Sequence, residues 1–289
     1  MAARNLIVTA DDFGAALAVN EAVERAHREG ILTAASLMVG APAAADAVRR
    51  VKAMPQLGVG LHLVLVEGRP TLPSAQIPAL VDADGFFRTD MARAGAAMFF
   101  LPSVRRQLAA EIEAQFSAFA ATGLVLDHVN AHKHFHLHPT IASLILKIGA
   151  RYGLNAMRVP YEPAAVLRRI EPGTPGNFVV ELWARRLGKR LARAGIFAPQ
   201  QVFGLAWSGA MSEKRLCGLL ENLPDGDSEI YLHPAMSAGF ALAAEGYNYE
   251  GESAALLSPK VLELTKKFDI ALGPFAKFRS LVEAARLPQ

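Results

Sequence analysis

Residues 5–14 read Asn-Leu-Ile-Val-Thr-Ala-Asp-Asp-Phe-Gly, and the pattern that begins here recurs along the chain. The apolar run predicts a buried strand over 5–9. Apolar residues at helical spacing then predict a helix over 16–29, with Gly30 at its C-terminal cap. Further strands are predicted over 33–39 and 58–66, with a helix over 43–53 between them. Strands that alternate with helices indicate a parallel sheet with crossover helices.

The same alternation continues in the second half of the chain. The predicted helices lie over 104–121, 141–152, 178–194, 211–222 and 259–267, with one more at the end, and the predicted strands over 124–129, 156–159, 229–233 and 269–272. Between residue 67 and about residue 97, prolines and an Asp84-Gly85 turn interrupt the pattern and predict a long insertion loop. Without an internal repeat, residues 1–289 are predicted to form one barrel-like α/β domain.

Composition excludes several classes of protein. Of 289 residues, 52% are hydrophobic and 20% charged, which suits a chain with a sizeable core and argues against disorder. A net charge of +3 is too small to predict a nucleic-acid partner. The single Cys217 excludes an internal disulfide framework and fits a reducing compartment. No apolar run is long enough for a signal peptide or a bilayer span, so we expect a cytoplasmic protein.

Histidines are concentrated in one place. Five of the eight fall within eleven residues: His128, His132, His134, His136 and His138. Their numbers are all even, so an extended backbone would place them on one face. Histidine is the commonest side chain for metal ligation and for proton transfer near neutral pH. The alternative is a surface tract that traps metal, and the pattern does not say which of the five would be a ligand.

Other candidate residues lie at the ends of predicted strands. Asp11 and Asp12 follow the first strand, at the edge where parallel α/β proteins build their sites. The alternative is that one of them caps the next helix and the other is solvated. His62 and His233 end two other strands, and each taken alone would more often be a core histidine than a functional one. Together, these residues indicate a carboxylate–imidazole site for a divalent metal, with a second carboxylate as base and a distant histidine as acid.

Four segments carry a family resemblance. Residues 10–14, 60–62, 128–136 and 233–234 resemble, in order, the motifs of the YdjC/ChbG-type carbohydrate deacetylases. More narrowly, the chain resembles the hopanoid-biosynthesis-associated branch. The resemblance implies a modified, incomplete (β/α) barrel. It also implies a hydrolase that removes acetyl from an N-acetylglucosaminyl group, on a hopanoid lipid.

The resemblance also implies roles for individual residues. Asp12, His62 and His132 would hold one divalent metal ion, Asp11 would be the general base, and His233 the general acid. Two imidazoles favour Zn²⁺, whereas a site with a carboxylate and open positions also accepts Mg²⁺ or Mn²⁺.

One position departs from the family pattern. Many members carry Asp where this chain has Asn130, so this chain lacks a negative charge at that position. Any role that a carboxylate there has in orienting the metal ligands is therefore in doubt for this chain. His134, His136 and Arg158 are further candidates, either to bind the sugar or to orient the acid and base.

Two apolar segments bear on a lipid substrate. The predicted helix over 178–194 has an apolar face and a basic face, which suits either an anionic membrane surface or packing on the core. Residues 94–102, with Met98-Phe-Phe-Leu101, would form a hydrophobic lid or a core segment. Peripheral membrane contact and a homodimer are both compatible with these segments, and neither is required.

Three alternatives remain open. The same metal site would serve a chito-oligosaccharide deacetylase that acts on soluble sugars. A non-catalytic metal- or carbohydrate-binding protein is a second alternative, which the presence of both Asp11 and His233 disfavours. A metal-dependent phosphoesterase is the third, and it would need more ligands and a second metal.

Overall fold

A parallel β-sheet forms the centre of the molecule. A computed structural model describes residues 3–286, with side chains described as far as residue 284. Within this part the strands are β1 (Arg4–Phe13), β2 (Ala34–Leu37), β3 (Gly58–Leu63), β4 (Val129–Ala131), β5 (Gln201–Phe203), β6 (Gly226–Leu232) and β7 (Ile270–Leu272). The strand order is β4-β3-β2-β1-β6-β5, and β7 pairs with the first residues of β1. Every pairing is parallel, as the sequence pattern predicts.

Helices connect the strands. In the described residues these are α1 (Leu17–Glu29), α2 (Ala44–Val51), α3 (Met91–Phe100), α4 (Pro102–Ala121), α5 (Pro139–Gly149), α6 (Ala164–Ile170), α7 (Phe178–Arg193), α8 (Glu213–Glu221), α9 (Tyr249–Leu256), α10 (Pro259–Lys267) and α11 (Phe275–Arg286). None of the helices within residues 3–286 is long and apolar enough to cross a membrane.

The sheet curls into an incomplete barrel. Beyond β4 it continues only through isolated parallel bridges, from Val129 to Met157 and from Ala156 to Phe197. On the other side, the Val202 amide of β5 donates to the Tyr161 carbonyl at 2.8 Å. Irregular segments therefore lie where a complete barrel would have strands. The expected incomplete α/β barrel is confirmed, although the strand predicted over 156–159 forms only these bridges.

The inside of the barrel changes from apolar to polar along β1, whose alternate residues face opposite sides. Ile7 packs inside against Phe275 and Phe278 of α11. Two residues further along the strand, the Thr9 hydroxyl donates to Glu229 at 2.8 Å. Asp11 comes next on the same face. Polar groups thus accumulate at the carboxyl edge of the sheet, while Leu6, Val8 and Ala10 face the helices in the main core.

Some elements differ from the predicted ones. The insertion is shorter than expected because the Asp90 carboxylate caps α3, accepting the Arg93 amide at 3.0 Å, so a helix begins at Met91. The strand predicted over 124–129 begins only at Val129. The sequence pattern missed α6, α9 and β5, which are seven, eight and three residues long. Elements this short carry little periodic signal.

Candidate metal centre and active site

Both carboxylates at the end of β1 reach one cleft. Successive residues of a regular strand would point to opposite faces. Here the backbone of Asp12 is left-handed, with φ of 60°, and the pairing of β1 with β2 shifts register between Ala10 and Phe13. The irregularity places Asp11 and Asp12 in the wall of the same cavity, which has a volume of about 530 Å³.

Three side chains converge in this cavity as a metal site requires. Asp12, His62 and His132 each offer one ligand atom, and these atoms lie within 4.8 Å of one another. Oδ1 of Asp12 is 3.2 Å from Nε2 of His62 and 3.3 Å from Nδ1 of His132. Among the described residues, neither that oxygen nor Nε2 of His62 has a hydrogen-bond partner, although both are buried. Buried polar atoms normally have partners, so this donor set fits a divalent cation.

Asn130 orients one of these candidate ligands. Its amide oxygen lies 2.7 Å from Nδ1 of His62, which fixes the ring proton there and leaves the Nε2 lone pair facing Asp12. Its amide nitrogen donates to Oδ1 of Asp11 at 3.0 Å and to the Ser36 hydroxyl at 2.9 Å. The residue that departs from the family pattern therefore joins a candidate ligand to the candidate base.

A buried arginine holds Asp11. Arg158 donates from its two terminal nitrogens to Oδ2 and Oδ1 of Asp11, at 2.5 and 3.0 Å. Burial would raise the pKa of this carboxyl, but the charge and the hydrogen bonds of the Arg158 guanidinium hold the pKa of Asp11 well below its ordinary value. Asp11 is therefore ionised throughout the neutral range.

Arg158 itself is completely buried. It donates to Oε1 of Glu229 at 2.6 Å, and its guanidinium lies 4.4 Å above the ring of Tyr231. Burial would lower the pKa of Arg158, but the carboxylates of Asp11 and Glu229 raise it above the ordinary value. Because Arg158 has no exposed surface, it cannot contact a sugar. Of the two roles expected for it, sugar binding and orientation of the acid and base, its position allows only the second.

His233 lies in the wall of the same cavity, directly after β6. Its backbone amide donates to Oε2 of Glu252 at 2.5 Å, and burial raises the pKa of that glutamate. The imidazole lies edge-on to the rings of Tyr231 and Tyr247, with centroids 5.7 and 5.1 Å away. Held by its backbone and by two aromatic rings, the side chain faces the cavity that also contains Asp11.

The histidine cluster is not extended, and the prediction that its five side chains share one face is wrong. Only Val129–Ala131 is a strand, and His132–Leu137 is a 3₁₀ turn. Within the turn Lys133 and His134 are both left-handed, with φ of 53°, so successive side chains diverge. Only His132 reaches the candidate metal site.

The other four histidines have different surroundings. His128 is buried between Asp127 and Ser36, with its ring 4.1 Å from that of Phe275, so it belongs to the core. His138 lies half-buried beside α3 and outside the cavity.

His134 and His136 differ in their access to the cavity that contains Asp11, because His136 is completely buried. Nε2 of His134 lies 2.9 Å from the Tyr231 hydroxyl, and the residue lines the cavity. Burial, with the neighbouring Arg158 charge, lowers the pKa of His134 well below its ordinary value. The same causes lower the pKa of His136 to about 3. Both imidazoles are therefore neutral near pH 7, and of the two only His134 is placed to meet a sugar.

Sequence reasoning missed three residues of this site: Ser36, Glu229 and Tyr231. A signal for two of them was present, because Glu229, Tyr231 and His233 alternate along β6 and a period of two places them on one face. Ser36 carried no such signal, since it lies within a short run of small residues on β2.

Comparison with known proteins gives the family. The family model described as YdjC-like protein matches residues 5–267. The chain belongs to the YdjC-like family. A carbohydrate deacetylase of Geobacillus stearothermophilus is 31% identical over 233 residues, which cover 80% of each chain. One of Brevibacillus brevis is 41% identical over 147 residues, which cover 51% of this YdjC-like protein and 56% of the relative. This chain thus matches only about half the length of the Brevibacillus protein. The expected family is confirmed.

A solved structure supports the fold of this YdjC-like protein. The structure is of an Enterococcus faecalis V583 protein, provisionally described as a cellobiose-phosphate cleavage protein. It superposes with a TM-score of 0.75 at 22% identity, over 95% of this chain and 98% of the other. At this identity the likeness concerns the fold alone.

Proposed function

We propose that this YdjC-like protein is a metal-dependent carbohydrate N-deacetylase that removes acetyl from an N-acetylglucosaminyl group. Relatives named carbohydrate deacetylases support the enzyme class. The observation that carries the proposal is the convergence of Asp12, His62 and His132 in the same cavity as Asp11 and His233. A binding protein needs neither an acid nor a base beside its metal.

The residues of the cavity have different roles in amide hydrolysis. A divalent ion held by Asp12, His62 and His132 would polarise the carbonyl and lower the pKa of a bound water. Asp11 accepts the proton of the attacking water, while Arg158 and Asn130 hold its carboxylate in place. His233 donates a proton to the departing nitrogen. The C–N bond breaks, and acetate and the free amino sugar leave.

A second groove supports a lipid-linked substrate, for which we propose an N-acetylglucosaminyl hopanoid. The cavity that contains Asp11, His233 and the candidate metal ligands is here called the catalytic cavity. A groove of about 370 Å³ adjoins it and shares Asn177, Val180 and Leu205 with it. Its remaining lining includes the apolar Leu167, Pro175, Phe178 and Val179, together with Glu162 and Glu181. The sugar would occupy the cavity while the apolar ring system lies along the groove.

The exposed end of α7 supports contact with a membrane. The helix packs on the core through Ala184, Leu187 and Leu191, but Phe178 and Val179 at its beginning are 75% and 63% exposed. Phe100 of α3 is a further exposed apolar side chain, at 72%. Exposed apolar side chains on a helix that also carries Arg185 and Arg186 suit the anionic inner face of a membrane. We therefore propose that deacetylation takes place at that face.

The activity is tested by metal removal and add-back. We expect stripped protein to release no acetate from N,N′-diacetylchitobiose or from an N-acetylglucosaminyl lipid, and Zn²⁺, Mg²⁺ or Mn²⁺ to restore release. Asp11→Asn should lower kcat by about 10²- to 10⁴-fold, the range for loss of a general base, while metal content stays at the wild-type level. Unchanged acetate release by the stripped protein or by Asp11→Asn would contradict the proposal.

The lipid substrate is tested with a matched pair of variants. Val179→Asp places a charge in the apolar groove, and we expect kcat/KM for the lipid substrate to fall about tenfold with little change for diacetylchitobiose. Val125→Asp is the control, because Val125 is 88% exposed and lines neither the catalytic cavity nor the groove. Equal losses on both substrates, or turnover of the soluble sugar alone, would favour a chito-oligosaccharide deacetylase.

A further inference from the structure

A third, smaller cavity adjoins the metal site. Its volume is about 180 Å³, and it shares Glu67, His132, Ala241 and Leu242 with the catalytic cavity. Most of its other lining side chains are apolar: Met38, Ala41, Pro42, Val64 and Phe86. Because Met38 follows β2 and Val64 follows β3, the small cavity lies at the carboxyl edge of the sheet, beside the strands that carry the candidate ligands.

Two of the polar side chains around the small cavity are engaged by neighbouring groups of the protein. The Gln115 side chain bonds to the backbone of Val64, accepting its amide at 2.9 Å and donating to its carbonyl at 2.6 Å. The guanidinium of Arg69 lies 4.4 Å above the ring of Phe86. An alkyl chain that enters this cavity would leave water for a largely apolar surface.

We propose that the small cavity receives the acyl group of the substrate and accepts N-acyl chains longer than acetyl. This inference rests on the proposed amide hydrolysis. The position of the small cavity supports the proposal. The small cavity shares the candidate ligand His132 with the catalytic cavity and so begins where the scissile carbonyl is expected. Its size supports it too. A methyl group is comparable to a water molecule, which occupies about 30 Å³ in the liquid, so the cavity has room for roughly six such groups.

The reaction is the same for each chain length. Water adds its oxygen to the carbonyl carbon, the C–N bond breaks, the nitrogen takes a proton, and the acyl group leaves as a carboxylate. Acetyl, propionyl and butyryl amides differ only beyond the carbonyl carbon, in the part that would enter the small cavity. The activity is therefore an N-deacylation whose chain-length limit is set by Met38, Ala41 and Val64.

The test compares methyl glycosides of N-acetyl-, N-propionyl-, N-butyryl- and N-hexanoylglucosamine, with release of the free amine as the readout. We expect kcat/KM for the butyryl substrate to lie within about tenfold of that for acetyl. Ala41→Leu fills part of the cavity and should lower the butyryl value at least about tenfold more than the acetyl value. Ala110→Leu, the same change at an exposed position of α4, is the matched control and should leave this ratio unchanged. Val64→Phe is a second filling variant in case Ala41→Leu does not fold.

The outcomes separate this proposal from the one it rests on. If the acetyl substrate were hydrolysed but the propionyl and butyryl substrates reacted at less than about 1% of its rate, the proposed acyl cavity would be wrong. The proposed deacetylase activity would still hold. Equal losses of acetyl and butyryl turnover in the filled variants would also overturn it. Release of no amine from these four substrates, together with no acetate from diacetylchitobiose or from the N-acetylglucosaminyl lipid, would overturn both proposals.

Discussion

Asn130 donates a hydrogen bond to Asp11, from its amide nitrogen to Oδ1, at 3.0 Å. The oxygen of the same amide lies 2.7 Å from Nδ1 of His62. An amide can donate to the carboxylate and accept from the imidazole at the same time, which neither a carboxylate nor an alkyl side chain can do. Asn130 therefore couples the orientation of a candidate ligand to that of the candidate base.

Two substitutions at Asn130 should separate these contacts. Asn130→Ala removes the acceptor for His62, and we expect metal affinity to fall about 10- to 100-fold, as is usual when the partner of a ligand is lost. Asn130→Asp keeps an acceptor for His62 but brings a like charge to Asp11, so metal affinity should persist while kcat falls. Metal titration and steady-state kinetics on the same preparations check both. If the two variants lost metal affinity equally, the amide would not act as described.

Arg158 should be essential for stability. Replacing it with Met would leave Asp11 and Glu229 buried without a counter-charge, and removal of one partner from a buried ion pair costs about 3–5 kcal/mol. We expect that loss in the free energy of unfolding, measured by urea titration at neutral pH. Arg158→Lys keeps the charge but not the two parallel hydrogen bonds and should lose less. A change below about 1 kcal/mol for Arg158→Met would contradict the ion-pair assignment.

The edge of the sheet that carries the candidate ligands could be predicted from the strand pattern, whereas the family resemblance was needed to choose His132 among the five clustered histidines. Asp12, His62 and His132 come at or just after the ends of β1, β3 and β4, and parallel strands bring these ends to one edge. The path of the chain beyond His132 could not be predicted. Lys133 and His134 both have left-handed backbone conformations, which are unusual for residues other than glycine. No pattern of apolar residues predicts them.

The buried charge network could not be predicted either. Arg158 lies in a segment that forms isolated bridges and no regular strand, and it meets Asp11 only because the sheet curls until its two edges approach each other. Periodicity indicates which residues face the interior of a sheet. It does not give the curl, and contacts between residues 147 positions apart depend on the curl.

His136 should make folding sensitive to mild acid. Its pKa is about 3 in the folded protein against an ordinary value of 6.5, so below pH 6.5 the unfolded chain binds a proton that the folded chain does not. The contribution of His136 to the free energy of unfolding is therefore fully present above pH 6.5. It is lost as the pH falls toward 3, at about 1.4 kcal/mol per pH unit. Between pH 7 and pH 5 this gives a loss of about 2 kcal/mol.

His136→Gln should remove that contribution. Urea unfolding of wild type and variant at pH 7 and pH 5, with chelator present so that bound metal does not contribute, gives the difference directly. We expect the pH-dependent loss to be about 2 kcal/mol smaller in the variant, whatever its absolute stability. Identical losses in the two proteins would mean that His136 becomes protonated in the folded state.

Metal binding should depend on one histidine of the cluster. His132→Ala removes one of three candidate ligands, and we expect bound Zn²⁺ to fall from about one ion per chain to a trace. His138→Ala is the matched control within the same cluster, because His138 lies outside the cavity beside Phe99. Metal analysis after gel filtration measures the content. A second readout is thermal stability, because an ion at about 100 times its Kd stabilises the fold by about 2.7 kcal/mol and should raise the Tm of wild type and His138→Ala only. If His132→Ala kept a full ion and His138→Ala lost it, the metal would lie elsewhere in the cluster.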